Sequence, residues 1–300
     1  MKLLNNLSIA LFFFSYINAN VYPTNIYELL TTTGHCEIGN SHFLKKDFNT
    51  AYKSFDDFIA SIDNEKFMDA VDLAEKEFAS MTPLANRYCS APPSYRDPKM
   101  HKQKKHNKIY YQFIKENYDL LKLKYNDALA NNQSAIAFLD TMVAIDQMAK
   151  KMFTDILDQM DKDYPGIKAI FYGKHDELTV ITKIVRYEKT DNWGTTAHFD
   201  KSGLSFIWNS DDDNDDSLMT CKDVLTPSLD LLQKPVRLYG NRPDVSSTIL
   251  IAGSAFSKVG INIKPTLHGV APIKKPYRHA IISFLLIPDI DMSDLKTDFV

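Results

Sequence analysis

Apolar residues in the first half of the chain recur at intervals of three and four. Phe48, Tyr52, Phe55, Phe58, Ile59 and Ile62 form one such stripe, the spacing of a helix that buries one face. Phe67, Ala70, Val71, Ala74 and Phe78 predict a second helix, and Ile109, Phe113, Leu120, Leu121 and Leu123 a third. Ala135, Leu139, Met142, Val143, Met148, Met152, Ile156 and Met160 predict a long fourth. Methionine and aromatic residues at this spacing are read as core packing.

The pattern changes at Asp163-Tyr164-Pro165-Gly166. Beyond Gly166 the apolar period shortens toward two, and the runs Ala169–Tyr172, Leu178–Tyr187, Leu204–Trp208, Ser247–Ala252 and Ala280–Ile287 read as strands separated by turn residues. Several short strands at this spacing predict a sandwich, a barrel or a jelly roll, with the preceding helices packed on it. One α+β catalytic unit is expected, with a mainly helical region over 20–165 and a β region over 166–300.

The 300 residues are 44% hydrophobic and include 18 Phe and 15 Tyr, enough for a sizeable core. A net charge of −3 supplies no electrostatic case for nucleic acid. Residues 1–19 stand apart. Lys2 precedes the apolar run Leu7 to Tyr16, and Ile17-Asn18-Ala19 puts a small residue at a cleavage position. That layout predicts a signal peptide, because the run is too short to span a bilayer. The expected location is secreted or periplasmic, or cytoplasmic if the segment is not cleaved, and no transmembrane segment is expected in the mature chain. Cys36, Cys89 and Cys221 are an odd set without zinc or redox spacing. Three free thiols are expected, with a Cys36–Cys89 disulfide as the alternative that export would allow.

Three polar segments are read as structural. The basic run Lys99 to Lys108 reads as a solvated helix start, since it lacks interleaved aromatics. Asp211 to Asp216 reads as a hydrophilic turn, lacking the glycine and spaced glutamate of a calcium loop. His175-Asp176-Glu177 reads as a surface turn.

The segment Thr196-Ala197-His198-Phe199-Asp200 carries candidate chemistry. Alternation along a strand sends His198 and Asp200 to one face and Phe199 to the other. One imidazole beside one carboxylate supplies two corners of the facial triad that suits Fe(II) with open positions. His268, in Pro265-Thr266-Leu267-His268-Gly269-Val270, is the candidate third ligand. Ten residues on, Arg278 opens the run from Ala280 after the proline-rich turn Ala271 to Pro276. A guanidinium beside an apolar strand is costly to bury without an anion, and it can clamp a carboxylate with two parallel hydrogen bonds.

His-x-Asp, a distal His and Arg ten residues later resembles the isopenicillin N synthase-like branch of the 2-oxoglutarate/Fe(II) oxygenases. The likeness extends to Ile184-Val185-Arg186-Tyr187, to His198 through Leu204, and to Ile249-Leu250-Ile251-Ala252-Gly253 followed by Thr266 through Val270. Ser283 through Asp289 resembles the family's closing strand, and Leu29 to Phe58, with Gly34, Asn40 and His42, is similar to its N-terminal region. The resemblance covers most of residues 25–290, most closely from about 180 onward. It implies a double-stranded β-helix (jelly-roll) core with packed N-terminal helices, and Fe(II) held by His198, Asp200 and His268. It further implies 2-oxoglutarate as co-substrate, with Arg278 on its far carboxylate and Tyr187 donating a hydrogen bond. Dioxygen and a small organic molecule would be the other partners. No catalytic residue beyond the metal ligands is implied.

Two positions depart from the family pattern. Arg-x-Ser is here Arg278-His279-Ala280, and Asn-x-Tyr is Val185-Arg186-Tyr187. Both departures bear on 2-oxoglutarate and leave the metal triad intact. Three functions are therefore carried forward. The first is a 2-oxoglutarate-dependent oxygenase, hydroxylating a small molecule and releasing succinate. The second is a related iron oxidase that dispenses with 2-oxoglutarate, and the third a secreted non-catalytic protein retaining the fold.

Overall fold

The computed structural model describes residues 22–40, 45–60, 108–124, 126–130, 132–208, 217–235 and 246–291, together with 73, 294 and 295. The expected signal peptide, the stripe from Phe67, Cys89, the acidic run and all of the basic run but Lys108 lie outside the described residues.

Two long antiparallel strands form the spine. β3 (Val180–His198) and β8 (His268–Leu285) pair from Val180 opposite Leu285 to His198 opposite His268. Register shifts at Glu188/Thr190, Thr190/Trp193 and Thr195/His198 interrupt the ladder, and such bulges bend and twist a strand pair. Each long strand thus folds back over itself. Gly194 lies against Tyr187, Val270 and Ile273, where an added Cβ would come within 3.2 Å of the tyrosine ring.

The remaining strands extend this curled sheet. β1 (His35–Asn40), β7 (Ser246–Ala252), β4 (Leu204–Trp208), β8, β3 and β2 (Lys108–Phe113) follow in that spatial order. β5 (Leu218–Cys221) pairs with β8 and with the short β6 (Leu232–Gln233). Among the described residues all pairings are antiparallel. With the helices on one side, the architecture is an α+β jelly roll.

Among the described residues the helices are α1 (Ile26–Thr32), α2 (Lys45–Ala60), α3 (Lys115–Lys124), α4 (Asn126–Ala130), α5 (Gln133–Asp163) and α6 (Ile167–Tyr172). The Asn132 side chain caps α5 by accepting from the Ala135 amide at 2.9 Å, satisfying one of the free amides of the first turn. The stripes on α2 and α5 meet one face of the sheet. Phe153 stacks on Phe206 at 4.1 Å between centroids, and Phe48 lies 6.1 Å from Trp208. The buried Trp208 indole donates to Ser283 Oγ at 2.9 Å, so the largest core side chain hides no unpaired donor. The helix layer is also pinned by Asp56 on α2. It accepts from Arg186 Nη1 at 2.9 Å and lies 3.1 Å from His279 Nε2, whose ring stacks on Tyr52.

The opposite sheet face carries a second apolar set, including Val185, Tyr187, Val270, Ile273 and Ala280. Ile207, Leu218, Ile249 and Ile251 continue it. These residues line the inside of the fold, and the functional groups stand among them.

The structure corrects three expectations. Ile109 and Phe113 belong to strand β2, not to a helix. Ile109, Tyr111 and Phe113 are buried while Tyr110 and Gln112 are half-buried, a period of two that a six-residue pairing with β3 stabilises. Ala169–Tyr172 lies in helix α6. The long helix ends at Asp163 with Tyr164 as its C-cap; Gly166, with φ 95° in the left-handed region, then caps α6, where Ile167 and Phe171 bury one helical turn apart. Finally, the proline-rich stretch from Ala271 to Pro276 is the bent middle of β8 rather than a turn before it.

Candidate metal centre

His198 is the last residue of β3 and His268 the first of β8, directly opposite in the ladder. Asp200 follows two residues after His198. The Nδ1 of His198 lies 2.9 Å from the Thr196 carbonyl and that of His268 lies 3.0 Å from the Thr266 carbonyl. A carbonyl only accepts, so each ring donates from Nδ1 and leaves Nε2 as its candidate ligand atom. Both Nε2 atoms stand 3.6 Å from the same oxygen, Asp200 Oδ1. The three candidate ligand atoms lie within 4.8 Å of one another, and the two ring centroids are 4.4 Å apart.

The backbone under Asp200 is held as tightly as its side chain. Its carbonyl accepts from the Ser254 amide at 2.7 Å and the Ser254 hydroxyl at 2.8 Å. The Gly253 amide donates to the Gly203 carbonyl at 2.8 Å. A Cβ on Gly253 would sit 2.0 Å from the Ser202 carbonyl oxygen, so this crossing of two loops requires glycine.

Burial alone would push the Asp200 carboxyl up. His268, His198 and the nearby Ser205 hydroxyl outweigh it and hold the carboxyl below its ordinary range. Burial lowers His268, with the His198 charge adding to the effect, which favours the neutral, ligating imidazole. Asp200 Oδ2 is buried with no hydrogen-bond partner. A buried carboxylate oxygen left this way is costly unless a cation or proton joins it. Two imidazoles and one carboxylate on one side of a shared point suit Fe(II) with open positions, so the residues present fit that ion.

Farther along the inner face, Arg278 pairs with Tyr187 across β8 and β3, its Cζ 5.3 Å from the tyrosine ring centroid. The Tyr187 hydroxyl accepts from Thr195 Oγ1 at 3.3 Å, and the Thr195 hydroxyl in turn accepts from Lys108 Nζ at 3.0 Å. Ala280 faces Val185 across the same ladder and packs in the same apolar cluster. The structure thus brings together His198, Asp200 and His268, and separately Arg278 and Tyr187, on one side of the sheet. His175, Asp176 and Glu177 are exposed. Cys36 and Cys221 are buried thiols, and burial pushes Cys36 up to about 12.

Sequence reasoning missed several residues. Lys108, expected in solvent, is 7% exposed on β2. Lys183 shares the inner face of β3 with Val185 and Tyr187, and its Nζ rests 4.2 Å from the Tyr110 ring centroid. The available signal was a lysine inside the apolar alternation Ile181-x-Lys183-x-Val185, where a solvated strand face would be polar. The carbonyls of Thr196 and Thr266 carry no side-chain signal at all.

No family model matches the chain, and no curated protein matches it. Solved structures do. The dioxygenase for auxin oxidation 1 from Arabidopsis thaliana, a 2-oxoglutarate complex, superposes with a TM-score of 0.54 at 16% identity, covering 89% of this chain and 88% of that one. A full-length Neurospora crassa protein in complex with α-ketoglutarate gives 0.51 at 12% identity, covering 89% and 80%. JOX2 in complex with 2OG, Fe and JA gives 0.52 at 13% identity, covering 87% and 70%. The chain therefore has the fold of the 2-oxoglutarate-dependent oxygenases. Among the described residues, no helix is long and apolar enough to cross a membrane.

Proposed function

We propose that this chain is an Fe(II)- and 2-oxoglutarate-dependent oxygenase that oxidises a small organic substrate, with hydroxylation as its reaction. One observation carries the reading. The Nε2 atoms of His198 and His268 both lie 3.6 Å from a single carboxylate oxygen of Asp200, inside a fold shared with proteins solved with 2-oxoglutarate. Bound there, Fe(II) supplies the redox chemistry that couples decarboxylation of 2-oxoglutarate to succinate with oxidation of the substrate by dioxygen.

The chain's own residues do the rest. The Thr196 and Thr266 carbonyls fix the tautomer and orientation of the two imidazoles. Ser254 fixes the Asp200 backbone. Arg278, on the inner face, is assigned to the far carboxylate of the co-substrate, where its fork can pair both oxygens. Tyr187, its cross-strand neighbour, is assigned a second hydrogen bond to the same group. The apolar residues around Val185 and Ala280 exclude water from the space between.

A second reading rests on Ala280. Its methyl lies in the apolar cluster and offers no hydroxyl to a carboxylate, which favours an iron oxidase that does without 2-oxoglutarate. Anaerobic addition of Fe(II) and then 2-oxoglutarate separates the two. A weak visible charge-transfer band that disappears in His268→Ala and needs more 2-oxoglutarate in Arg278→Ala supports the oxygenase. Tight iron binding without the band moves the reading to the oxidase, and absence of iron binding removes both.

The apolar run near the N-terminus motivates a further proposal, that residues 1–19 direct export and are removed. N-terminal sequencing of the mature protein tests it, and a mature chain starting at Met1 rejects it.

A further inference from the structure

Two lysines stand on the inner face of the sheet. Lys183, on β3, alternates in register with Val185 and Tyr187, which pack inside, and its Nζ lies 4.2 Å from the centroid of Tyr110. Lys108, on β2, lies two residues before Tyr110. Its Nζ donates to Thr195 Oγ1 at 3.0 Å and sits 5.8 Å from the Tyr187 ring centroid. Each ammonium group thus lies over a different tyrosine ring, Lys183 over Tyr110 and Lys108 over Tyr187.

Neither lysine is within ion-pair distance of a carboxylate among the described residues. Burial lowers Lys183 against the opposing charge of Asp200 in the candidate metal centre. The lysines also oppose each other. Burial, and then the charge of Lys183, brings Lys108 down to about 7. Burying like charges side by side without a counter-ion is expensive, whereas aromatic faces return only part of that cost. The arrangement becomes favourable once an anion enters.

The ladder places Lys183 between the two ends of the pocket. It pairs with Ile282 on β8, four residues beyond Arg278 and two beyond Ala280. On the other side of Ile282, β4 brings in Ile207, which follows Ser205 and Asp200. Along β8, Lys183 thus stands between Arg278 and the start of β4, which follows Asp200.

We infer that Lys183, with Lys108 beside it, forms a second carboxylate-binding subsite in this pocket, distinct from Arg278. The inference deepens the oxygenase reading and rests on it for the pocket's purpose, but not for its chemistry. The chemistry required is an organic carboxylate. That group belongs either to 2-oxoglutarate, where the ammonium stands in for the hydroxyl that Ala280 lacks, or to an acidic substrate.

Calorimetric titration of the full chain distinguishes the sources. The protein is used metal-free and loaded with Zn(II), which supports binding without turnover. The ligands are 2-oxoglutarate and, in its presence, the monocarboxylates benzoate and phenylacetate beside their neutral amides. Lys183→Met is compared with Lys183→Arg, Lys108→Met and the exposed control Lys174→Met, with thermal melts confirming the fold. Loss of about tenfold in 2-oxoglutarate affinity in Lys183→Met, recovered in Lys183→Arg, assigns the subsite to the co-substrate. Unchanged 2-oxoglutarate affinity, with loss of a monocarboxylate that the wild type binds in preference to its amide, assigns it to the substrate. Equal binding of every carboxylate by wild type and Lys183→Met overturns the inference, as does a wild type that binds none. Failure of Zn(II) to bind while the metal-free protein still shows lysine-dependent carboxylate binding would reject the oxygenase reading and keep the subsite.

Discussion

His198 and His268 face each other across the β3–β8 ladder, each anchored through Nδ1 to the carbonyl two residues before it, with both Nε2 atoms 3.6 Å from Asp200 Oδ1. Each imidazole therefore supplies its own ligand atom to the cluster. His268→Ala and Asp200→Ala are each expected to weaken Fe(II) binding more than about 100-fold, measured anaerobically, while far-ultraviolet circular dichroism stays unchanged. Metal should also raise the melting temperature of the wild type, because only the folded chain assembles the three ligands. At a free concentration of roughly 100 times Kd the gain is about 2.7 kcal/mol. A wild type whose melting is indifferent to Fe(II) would argue against the centre.

Gly253 tests the scaffold beneath the ligands. Its Cβ position is filled by the Ser202 carbonyl at 2.0 Å, and its neighbour Ser254 holds the Asp200 backbone. Relief of the clash must move backbone, since the nearest atoms belong to the Ser202 carbonyl. Gly253→Ala is expected to cost about 2–4 kcal/mol in denaturant unfolding. It should also lower metal affinity, although it removes no ligand. Gly260→Ala provides the comparison. An added Cβ there meets nothing within 4 Å, so only the strain of its positive φ of 72° remains.

The pinning of α2 to the sheet should be acid-sensitive. Burial tends to raise the Asp56 carboxyl, but His279 and Arg186 prevail and lower it. With the folded value depressed, the stabilisation is complete above the unfolded carboxyl pKa and is lost as pH falls through the folded value. Asp56→Asn is expected to destabilise the chain by about 2 kcal/mol near neutral pH. The difference should close at strongly acidic pH, as followed by chemical unfolding across a pH series.

The ladder explains which parts of this molecule were legible beforehand. β4 runs Leu204–Trp208 as its apolar run predicts, and α5 covers the long stripe from Ala135 to Met160, because both bury a continuous apolar face. His198, Asp200 and His268 were legible because strand alternation and chain order carry them. Ile109 misled, since Ile109 and Phe113 are four apart in a strand as well as in a helix, and only pairing with β3 decides between them. Lys108 misled for a related reason. Its basic neighbours predict solvent, but Ile109 and Tyr110 place it on a strand facing inward. What no local pattern contains is the folding of β3 over itself, which sets Lys108 beside Thr195 and Tyr187.

Asp146 should work in the opposite sense from Asp56. It is fully buried within α5, and burial raises its carboxyl to about 6 despite Lys150 Nζ at 3.3 Å. The folded state then holds the proton more tightly than the unfolded state does. Stability from this group therefore falls as pH rises from the ordinary value of 3.8 through about 6. Asp146→Asn removes the titration. Relative to the wild type it is expected to gain about 2 kcal/mol between roughly pH 4 and pH 7 in urea unfolding. A constant difference across that range would mean that Lys150 compensates the charge fully.

Position 280 offers the sharpest test of how the pocket holds a carboxylate. Ala280 lies two residues beyond Arg278 on the same face of β8, opposite Val185, so a hydroxyl there would project beside the guanidinium. In the empty pocket Ala280→Ser buries that hydroxyl in an apolar cluster, at a cost of about 1 kcal/mol. With the far carboxylate of 2-oxoglutarate against Arg278, the hydroxyl gains an ionised acceptor, and binding is expected to tighten roughly three- to tenfold. Arg278→Lys should weaken binding by about tenfold, since an ammonium cannot make the paired contacts of the fork. Opposite signs for the two variants in one titration would place the carboxylate between these side chains. Loss of binding in Arg278→Lys without any gain in Ala280→Ser would mean that the carboxylate is turned away from position 280, toward Lys183.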